Sequence, residues 1–393
     1  MRILLVNNLY PPHSRGGAET AVHNEAVALR DLGHEVAVLT TAPFGGWRSL
    51  KLSESEEERI VVFRFYPLNI FWYRNDGKHN AYVRALWYVP NIFGVHPQII
   101  FKKAVKNFKP DAVHLHNING ISYRLPKLCD KLKLKTVFTL HAVHYAVPSG
   151  VIVRGQTPSK VFKPFAALLR RMLKSKAVVT APSEWLLDFY TGRGFFKEQK
   201  IAVVTNPLSF SGPHVTHSTP HANIRFLYVG QLERYKGINV LLSALKQLAP
   251  DAPWQLDIAG DGSMAPDLRK QRDQRVVVRG KLSGDEVAAA MRSVNILVMP
   301  SMCEENAPMV IAEAQARGLP VIATAVGGVP EMVDEGKTGA LVRAGSADDL
   351  ALAMRRVIQH PEVFSAMRPA CLKAAEKYAP KAVAEEYLKL FKK

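Results

Sequence analysis

Two glutamates, Glu305 and Glu313, stand eight positions apart in the otherwise small and apolar run MCEENAPMVIAEAQARGLPVIAT, which begins at Met302. Glu305 falls in the loop SMCEEN that leaves the apolar run ILVMP (296–300). Glu313 falls more than a turn inside the helix expected next. Asn306 suits the N-cap of that helix, Pro308 its first turn and Gly318 its end. Backbone amides of Ala307, Met309 and Val310 at such a start point outward and suit an oxygen-rich ligand, sugar hydroxyls or phosphate. A carboxylate at each end accepts hydrogen bonds from hydroxyls in pairs. The plainer alternative is one glutamate favoured by the helix dipole and one in solvent.

Three further clusters could do chemistry. In VGQLERYKG (229–237) a strand ends at Gly230 and Gly237 precedes a helix, so Arg234 and Lys236 sit at the strand's C-terminal end. They could neutralise a diphosphate; the chain contains no Asp-x-Asp pair for a metal clamp. Solvated cations in a turn are the alternative. In Ser14-Arg15-Gly16-Gly17-Ala18-Glu19 two glycines let backbone approach a phosphate, or simply make a turn. VHLHN puts His114 and His116 on one face of a strand, and TLHAVHY supplies His141 at a strand end and His144 beyond it. His114 and His116 could begin a metal site, but no third ligand stands at a telling spacing. His141 reads better as a polar group lining a ligand site, or as an ordinary hydrogen-bonding side chain.

The elements that must position these residues alternate. RILLV (2–6), a helix over 18–32 stopped by Gly33, and EVAVLT (35–40) make a strand–helix–strand unit of a parallel sheet. DAVHLH (111–116), TVFTLH (136–141), AVVTAP (177–182) and IAVVTN (201–206) continue it. The Pro-, Ser- and His-rich stretch 207–223 reads as a linker. A second series follows: FLYVG (226–230), a helix over 238–248, QLDIAG (255–260), VVVRG (276–280), a helix over 285–293, ILVMP, VIAT (321–324) and GALV (339–342). With 393 residues, two α/β domains with parallel sheets in tandem are expected, with a cleft at the strand C-termini.

Composition narrows the class. Apolar residues make up 48% and charged residues 22%, as in a globular protein, and no run reaches the roughly 20 apolar residues of a membrane span. The opening MRILLVNN is too short for a signal-peptide core, and Cys129, Cys303 and Cys371 have neither metal nor redox spacing, so a cytoplasmic protein with reduced thiols is expected. Net charge is +18, and it is uneven: residues 1–220 hold 29 Lys+Arg against 14 Asp+Glu. Between Asp130 and Glu184 there are ten basic residues and no acidic one. Such a field points to an anionic partner: nucleic acid, lipid headgroups or phosphorylated small molecules. No basic nucleic-acid-binding module is present, which argues against the first. The stretch 65–109 interleaves eleven aromatics with Lys102, Lys103, Lys106 and Lys109, a pattern suited either to a membrane interface or to an aromatic core with a solvated lysine face.

Taken in order, Gly16-Gly17 with Glu19, TLH ending at His141, GQLERYKG, AGDG (259–262), and S-x-x-x-E-N-x-P-x-x-x-x-E-A from Ser301 into PVIAT resemble the retaining glycosyltransferases of the GT-B fold, family four. The resemblance implies two tandem Rossmann-like α/β domains with parallel sheets facing across a cleft. The expected division is 1–206 for the acceptor side, 224–375 for the nucleotide-sugar side, and a C-terminal helix over 376–393 packing back on the first domain. It implies a nucleoside diphosphate sugar as co-substrate, with neither cofactor nor metal. Glu305 and the backbone of Asn306, Ala307, Pro308 and Met309 would hold the donor sugar, and Glu313 the ribose. Lys236 with Arg234 or Gln231 would take the diphosphate, helped by the Gly16-Gly17 turn. Gly260, Asp261, Gly262, Arg279 and Lys281 would border the nucleoside, and His141 would sit beside the reacting sugar. Catalysis would rest on His141, Glu305 and Lys236, with the cations stabilising the departing diphosphate. The chain departs from the family pattern at Gln231, usually arginine, at Ala142, often aspartate, and at Asn306 and Ala307, where a glycine and an aromatic are usual.

The expected activity is therefore sugar transfer from a nucleotide sugar, UDP- or GDP-linked among others, to a glycan or lipid-linked acceptor of polysaccharide or glycolipid synthesis. The basic first domain would meet an anionic membrane surface, giving a peripheral place at the inner face of the cell membrane. Rival readings are an epimerase or phosphorylase on the same fold, and a nucleic-acid-binding protein.

Overall fold

The computed structural model describes residues 1–14, 16–156, 159–209 and 223–392; Arg15 and most of the expected linker at 207–223 lie outside the described residues. The chain forms two compact units. Unit 1 comprises Met1–Gly150, Pro158–Ser209 and Ala379–Lys393, and unit 2 comprises Val151–Thr157 and Phe210–Tyr378.

Unit 1 is built on β1 (Arg2–Val6), β2 (Glu35–Thr41), β3 (Ser53–Glu57), β4 (Ile60–Phe65), β5 (Ala112–Leu115), β6 (Lys135–Thr139), β7 (Val178–Ala181) and β8 (Ile201–Val203). They lie in the order β3-β4-β2-β1-β5-β6-β7-β8. Every pairing is parallel except β3 with β4. Its helices are α1 (Gly17–Asp31), α2 (Ala81–Phe93), α3 (His96–Phe108), α4 (Leu125–Lys131), α5 (Lys163–Met172) and α6 (Glu184–Thr191). Strands β1, β2 and β5 are buried along nearly their whole length, as in a parallel sheet covered on both faces. Ile3, Leu5, Val36, Val38 and Val137 pack against Val22, Ala26 and Leu29 of α1.

Unit 2 has β9 (Ile224–Val229), β10 (Trp254–Ala259), β11 (Val276–Gly280), β12 (Ile296–Met299), β13 (Val321–Thr324) and β14 (Gly339–Val342), all parallel in the order β11-β10-β9-β12-β13-β14. Its helices are α7 (Ile238–Leu245), α8 (Ala265–Arg269), α9 (Gly284–Arg292), α10 (Met309–Gln315), α11 (Ala347–Gln359), α12 (Pro361–Ser365) and α13 (Arg368–Ala375). Phe226, Leu256, Ile258, Ile296, Val298 and Ile322 form its core with Leu241, Leu245, Leu350 and Met354. The last helix, α14 (Pro380–Lys392), belongs to unit 1, where Val383, Ala384, Tyr387 and Phe391 join the core beside α1.

Each sheet reverses its strand order once, between β1 and β5 in unit 1 and between β9 and β12 in unit 2. Loops leaving such neighbours diverge to opposite faces and open a crevice at the C-terminal edge, the usual ligand position in sheets of this kind.

Four details differ from the sequence reading. The hairpin β3–β4 was not expected; SESEE is charged and exposed, an edge strand that carries no apolar signal. The helix after Glu305 starts only at Met309, with Pro308 at its N-cap in an extended conformation (φ −64°, ψ 115°), so Asn306 does not cap it. A residue before proline is pushed away from the α region, which delays the start. Strand β6 ends at Thr139, so His141 lies in the loop beyond. Of the aromatics in 65–109, Phe65, Tyr66, Phe71, Trp72, Trp87, Phe101 and Phe108 are core, while Tyr82 and Phe93 are exposed.

Candidate functional site

At the reversal in unit 2 the loops after β9 and β12 bring the two predicted residue types together. Lys236 ends the short turn Arg234–Lys236, and its Nζ donates to Glu305 Oε1 at 2.6 Å. Burial alone would lower the lysine's pKa; the adjacent carboxylate outweighs it and holds the ammonium above its usual range. Ser301 Oγ donates to the same carboxylate oxygen at 2.8 Å, and Cys303 Sγ stands 3.6 Å from it. The Cys303 thiol is pushed up to about 11 by burial and by Glu305, so it stays protonated and is no nucleophile at neutral pH.

Backbone contacts lock this pair. Met302 N–H donates to Tyr235 O at 2.9 Å, tying one loop to the other. Gly237, at φ 79°, lies where a Cβ would come within 1.7 Å of Pro300 O, so only glycine lets the turn rest on the β12 exit. Gly327 after β13, at φ 55°, would place a Cβ 1.9 Å from Glu305 O. Gly328 N–H donates to that same oxygen at 2.8 Å. A segment from elsewhere in the chain completes the support: Glu304 N–H donates to Ile152 O and Arg154 N–H to Met302 O, both at 2.8 Å.

The other predicted residues of unit 2 have varied commitments of their own. Arg234 is exposed, and Gln231 is engaged, accepting from Tyr235 Oη at 2.8 Å. Asp261 accepts from Gly262 N–H at 2.9 Å, and Gly260 N–H donates to Gly280 O at 2.8 Å, so the loops after β9, β10 and β11 share one edge. Lys281 is exposed. Arg279 is paired with the buried Asp257 at 3.0 Å, which also holds Arg225 at 3.0 Å. Its charge is thus partly neutralised before any ligand arrives. Glu313 is not a solvated glutamate: burial raises its carboxyl pKa, with Arg317 opposing, while Arg317 donates to its carbonyl at 2.8 Å. Asn306, Ala307, Pro308 and Met309 line the approach to α10 and are all half-buried.

In unit 1, Gly16 and Gly17 open α1 beside the exit of β1, and Gly16 N–H donates to Glu19 Oε2 at 2.8 Å. His114 and His116 lie on β5 and in its exit loop. The third partner that the sequence did not reveal is Glu25 of α1, whose Oε1 accepts from His114 Nδ1 at 2.6 Å and whose Oε2 lies 3.5 Å from His116 Nε2. Ligand-type atoms of these three fall within 4.8 Å of one another. A first-row metal bonds such atoms at about 2.0–2.2 Å, which spreads them to about 3 Å or more. The 2.6 Å contact is a hydrogen bond, and the cluster is a buried hydrogen-bonded network. His116 Nδ1 faces His141 Nε2 at 3.1 Å. Burial, with His114 nearby, lowers His141 to about 3, so it is neutral at physiological pH.

Comparison with known proteins decides the family. Residues 16–207 match the family described as "Glycosyl transferase 4-like domain" and residues 223–360 that described as "Glycosyl transferases group 1". The chain belongs to the group 1 (family four) glycosyltransferases of GT-B fold. It is 28% identical over 370 residues to a glycogen synthase of Mycobacterium tuberculosis, covering 92% of this chain and 87% of that one. It is 25% identical over 363 residues to the gpi3 subunit of the Schizosaccharomyces pombe phosphatidylinositol N-acetylglucosaminyltransferase, covering 90% and 72%. The structure of Anabaena HepE in complex with UDP-glucose superposes with a TM-score of 0.67 at 17% identity, over 100% of this chain and 99% of that one. This glycosyltransferase is a retaining type by family and depends on a nucleotide sugar. Among its described residues no helix is long and apolar enough to cross a membrane.

Sequence reasoning about the glycosyltransferase missed Glu304, Gly327, the 151–157 segment and Glu25. Gly327-Gly328 after a strand was a legible signal for close backbone approach. Residue 152 and Glu25 carry no local signal, since their partners are far away in sequence.

Proposed function

We propose that unit 2 binds the nucleoside diphosphate sugar at the β9/β12 reversal, with Lys236 and Arg234 taking the diphosphate, Glu305 and residues 306–309 the sugar, and Glu313 the ribose. The observation that carries this is the Lys236–Glu305 pair at 2.6 Å, a preorganised cation and carboxylate where this sheet type binds ligands. Transfer then needs no metal, because Lys236 is placed to neutralise charge that develops on the leaving diphosphate. Gly260, Asp261, Gly262, Arg279 and Lys281 border the base, with Gln231 as a further polar contact. The nucleoside in the HepE complex makes UDP-sugars the first candidates. Thermal shift against UDP-, GDP- and ADP-sugars tests the reading, since a ligand stabilises the folded state according to occupancy. Failure of every nucleotide sugar to raise the melting temperature refutes it.

Unit 1 we assign to a lipid-linked acceptor at an anionic membrane surface. On α2, Tyr82, Leu86, Val89 and Phe93 recur at helical spacing and are all exposed, from 49% for Val89 to 84% for Tyr82. Tyr88 on the same helix packs on Phe165 of α5, ring centroids 5.0 Å apart. Helix α5 exposes Lys163, Arg170 and Arg171, and Lys102, Lys103 and Lys106 are exposed on α3. An apolar stripe flanked by cations is the pattern of an interfacial surface. The phosphatidylinositol-modifying relative supports a lipid acceptor; the glycogen synthase supports a glycan one. Flotation with anionic vesicles separates them: the protein should float, and Leu86→Glu with Phe93→Glu should sink it. Equal absence from anionic and neutral vesicles removes the membrane assignment.

A further inference from the structure

Unit 1 carries a second exposed apolar feature, used neither by the donor site nor by the α2 stripe. The loop joining β2 to β3 holds Phe44 in water and Trp47 at 80% exposure. Large apolar side chains grouped in water mark an interaction surface, whereas scattered ones mean little. These two stand on a fixed base. Ser49 Oγ donates to Gly46 O at 2.6 Å and accepts from Gly45 N–H at 3.1 Å, closing the short turn Trp47–Leu50. Tyr66 N–H donates to Ser49 O at 2.6 Å. The Phe44 ring meets the Tyr66 ring edge-on, centroids 5.2 Å apart, and Trp47 meets Phe44 in the same way at 6.4 Å.

His96 joins two further segments to this loop. Its Nε2 donates to Leu50 O at 2.8 Å, and its Nδ1 accepts from Leu68 N–H at 3.3 Å. Leu68, in the loop after β4, is exposed, and so is Val95, which precedes His96 at the start of α3. Three segments that meet at one histidine thus each put apolar side chains into water.

Charge decides what covers them. Between Thr41 and Ser53 the charged residues are Arg48 and Lys51, both exposed, and there is no acid. Lys102 and Lys103 follow, exposed, on α3. The acids of β3 lead away from the loop: β3 runs antiparallel to β4, with Ser53 opposite Arg64 and Glu57 opposite Ile60. An apolar protein surface would leave these cations unpaired. The headgroup boundary of an anionic bilayer takes indole, aliphatic side chains and cations together.

We propose that loop 44–47 inserts into the headgroup boundary of an anionic bilayer and turns the C-terminal edge of the unit 1 sheet toward the lipid. That edge carries the β1/β5 reversal, so an acceptor anchored in the bilayer arrives at the crevice side of the sheet. This insertion rests on the membrane reading of unit 1 and adds which loop enters the lipid and which edge faces it.

Vesicles of phosphatidylglycerol and phosphatidylcholine with brominated acyl chains test it through the tryptophan emission of the whole chain. Of the five tryptophans, Trp72, Trp87 and Trp254 are buried and Trp185 is half-buried, which leaves Trp47 as the exposed one. On binding, emission should shift to the blue and be quenched by bromine, and Trp47→Phe should abolish both changes. Trp47→Ser should weaken vesicle binding roughly tenfold, the scale of one large apolar side chain left in water. Protein that floats with its emission unshifted and unquenched overturns the insertion and leaves the α2 stripe as the contact. Protein that does not float overturns the membrane reading and the insertion together. A blue shift that grows with protein concentration in the absence of lipid also overturns it, and gives the loop to a second copy of the chain.

Discussion

At the β9/β12 reversal a lysine and a glutamate meet within partial reach of water, with side chains 24% and 15% exposed. At the β1/β5 reversal a glutamate meets two histidines, each of the three side chains at most 2% exposed. The same sheet geometry thus carries two electrostatic solutions. In unit 2 a cation and a carboxylate are kept as a pair. In unit 1 the rings are sealed in, and burial holds His116 and His141 neutral. Exposure, not topology, decides whether a reversal offers mobile charge or fixed dipoles.

The sharpest way to break this contrast is Lys236→Ala. If the paired cation carries the leaving diphosphate, kcat/KM for sugar transfer should fall roughly 10³-fold, about 4 kcal/mol, in a labelled-donor assay. Near-wild-type rates would reduce the pair to a structural bridge.

Acid should then separate the units. His116, His141 and His144 are all held neutral by burial, the last two at about 3. In the unfolded chain each takes a proton near pH 6.5, while in the fold it does so only far lower. The unfolded state therefore binds more protons between those limits, and stability falls as pH drops below about 6.5. For His141 and His144 together the expected loss between pH 7 and pH 5 is about 4 kcal/mol, with His116 adding to it, and it is concentrated in unit 1. Proteolysis read by mass spectrometry should release unit 1 peptides first; release of unit 2 peptides first inverts the contrast.

Smaller effects sharpen the unit 2 side. Glu313→Ala should weaken nucleotide binding roughly thirtyfold, about 2 kcal/mol, by titration calorimetry. Unchanged affinity would move the ribose elsewhere. Gly327→Ala should destabilise the fold by about 1–3 kcal/mol, because its Cβ would strike Glu305 O at a positive φ. Calorimetry should show a melting temperature lower by several degrees; an unchanged one would mean the Glu305 loop moves freely.

Much of the architecture was legible because it rests on local signals. Apolar runs of four to six residues, punctuated by Gly33, Gly230 and Gly318, marked the parallel strands and their helices. The charged strand SESEE was not legible, because an edge strand needs no apolar face. The motif around Glu305 was legible as residue types, but its architecture was not: Pro308 holds back the helix, and Ile152 and Gly327 support the loop through backbone atoms that no side-chain pattern reports. Glu25 was hidden for another reason. Within HNEAVALRD it looks like one more polar position on a helix, and only the pairing of β1 with β5 sets α1 above His114, 89 positions further along.

The contact between Lys236 and Glu305 has a bearing on selectivity at the proposed donor site. A plain hexose arriving there meets a carboxylate already occupied by its own ammonium and must compete with it. An activated sugar bound as proposed would bring phosphoryl oxygens that compete for the ammonium, and the carboxylate would then be released for the sugar hydroxyls. On the proposed reading, a molecule carrying both the anion and the hydroxyls would be the one able to engage both partners at once.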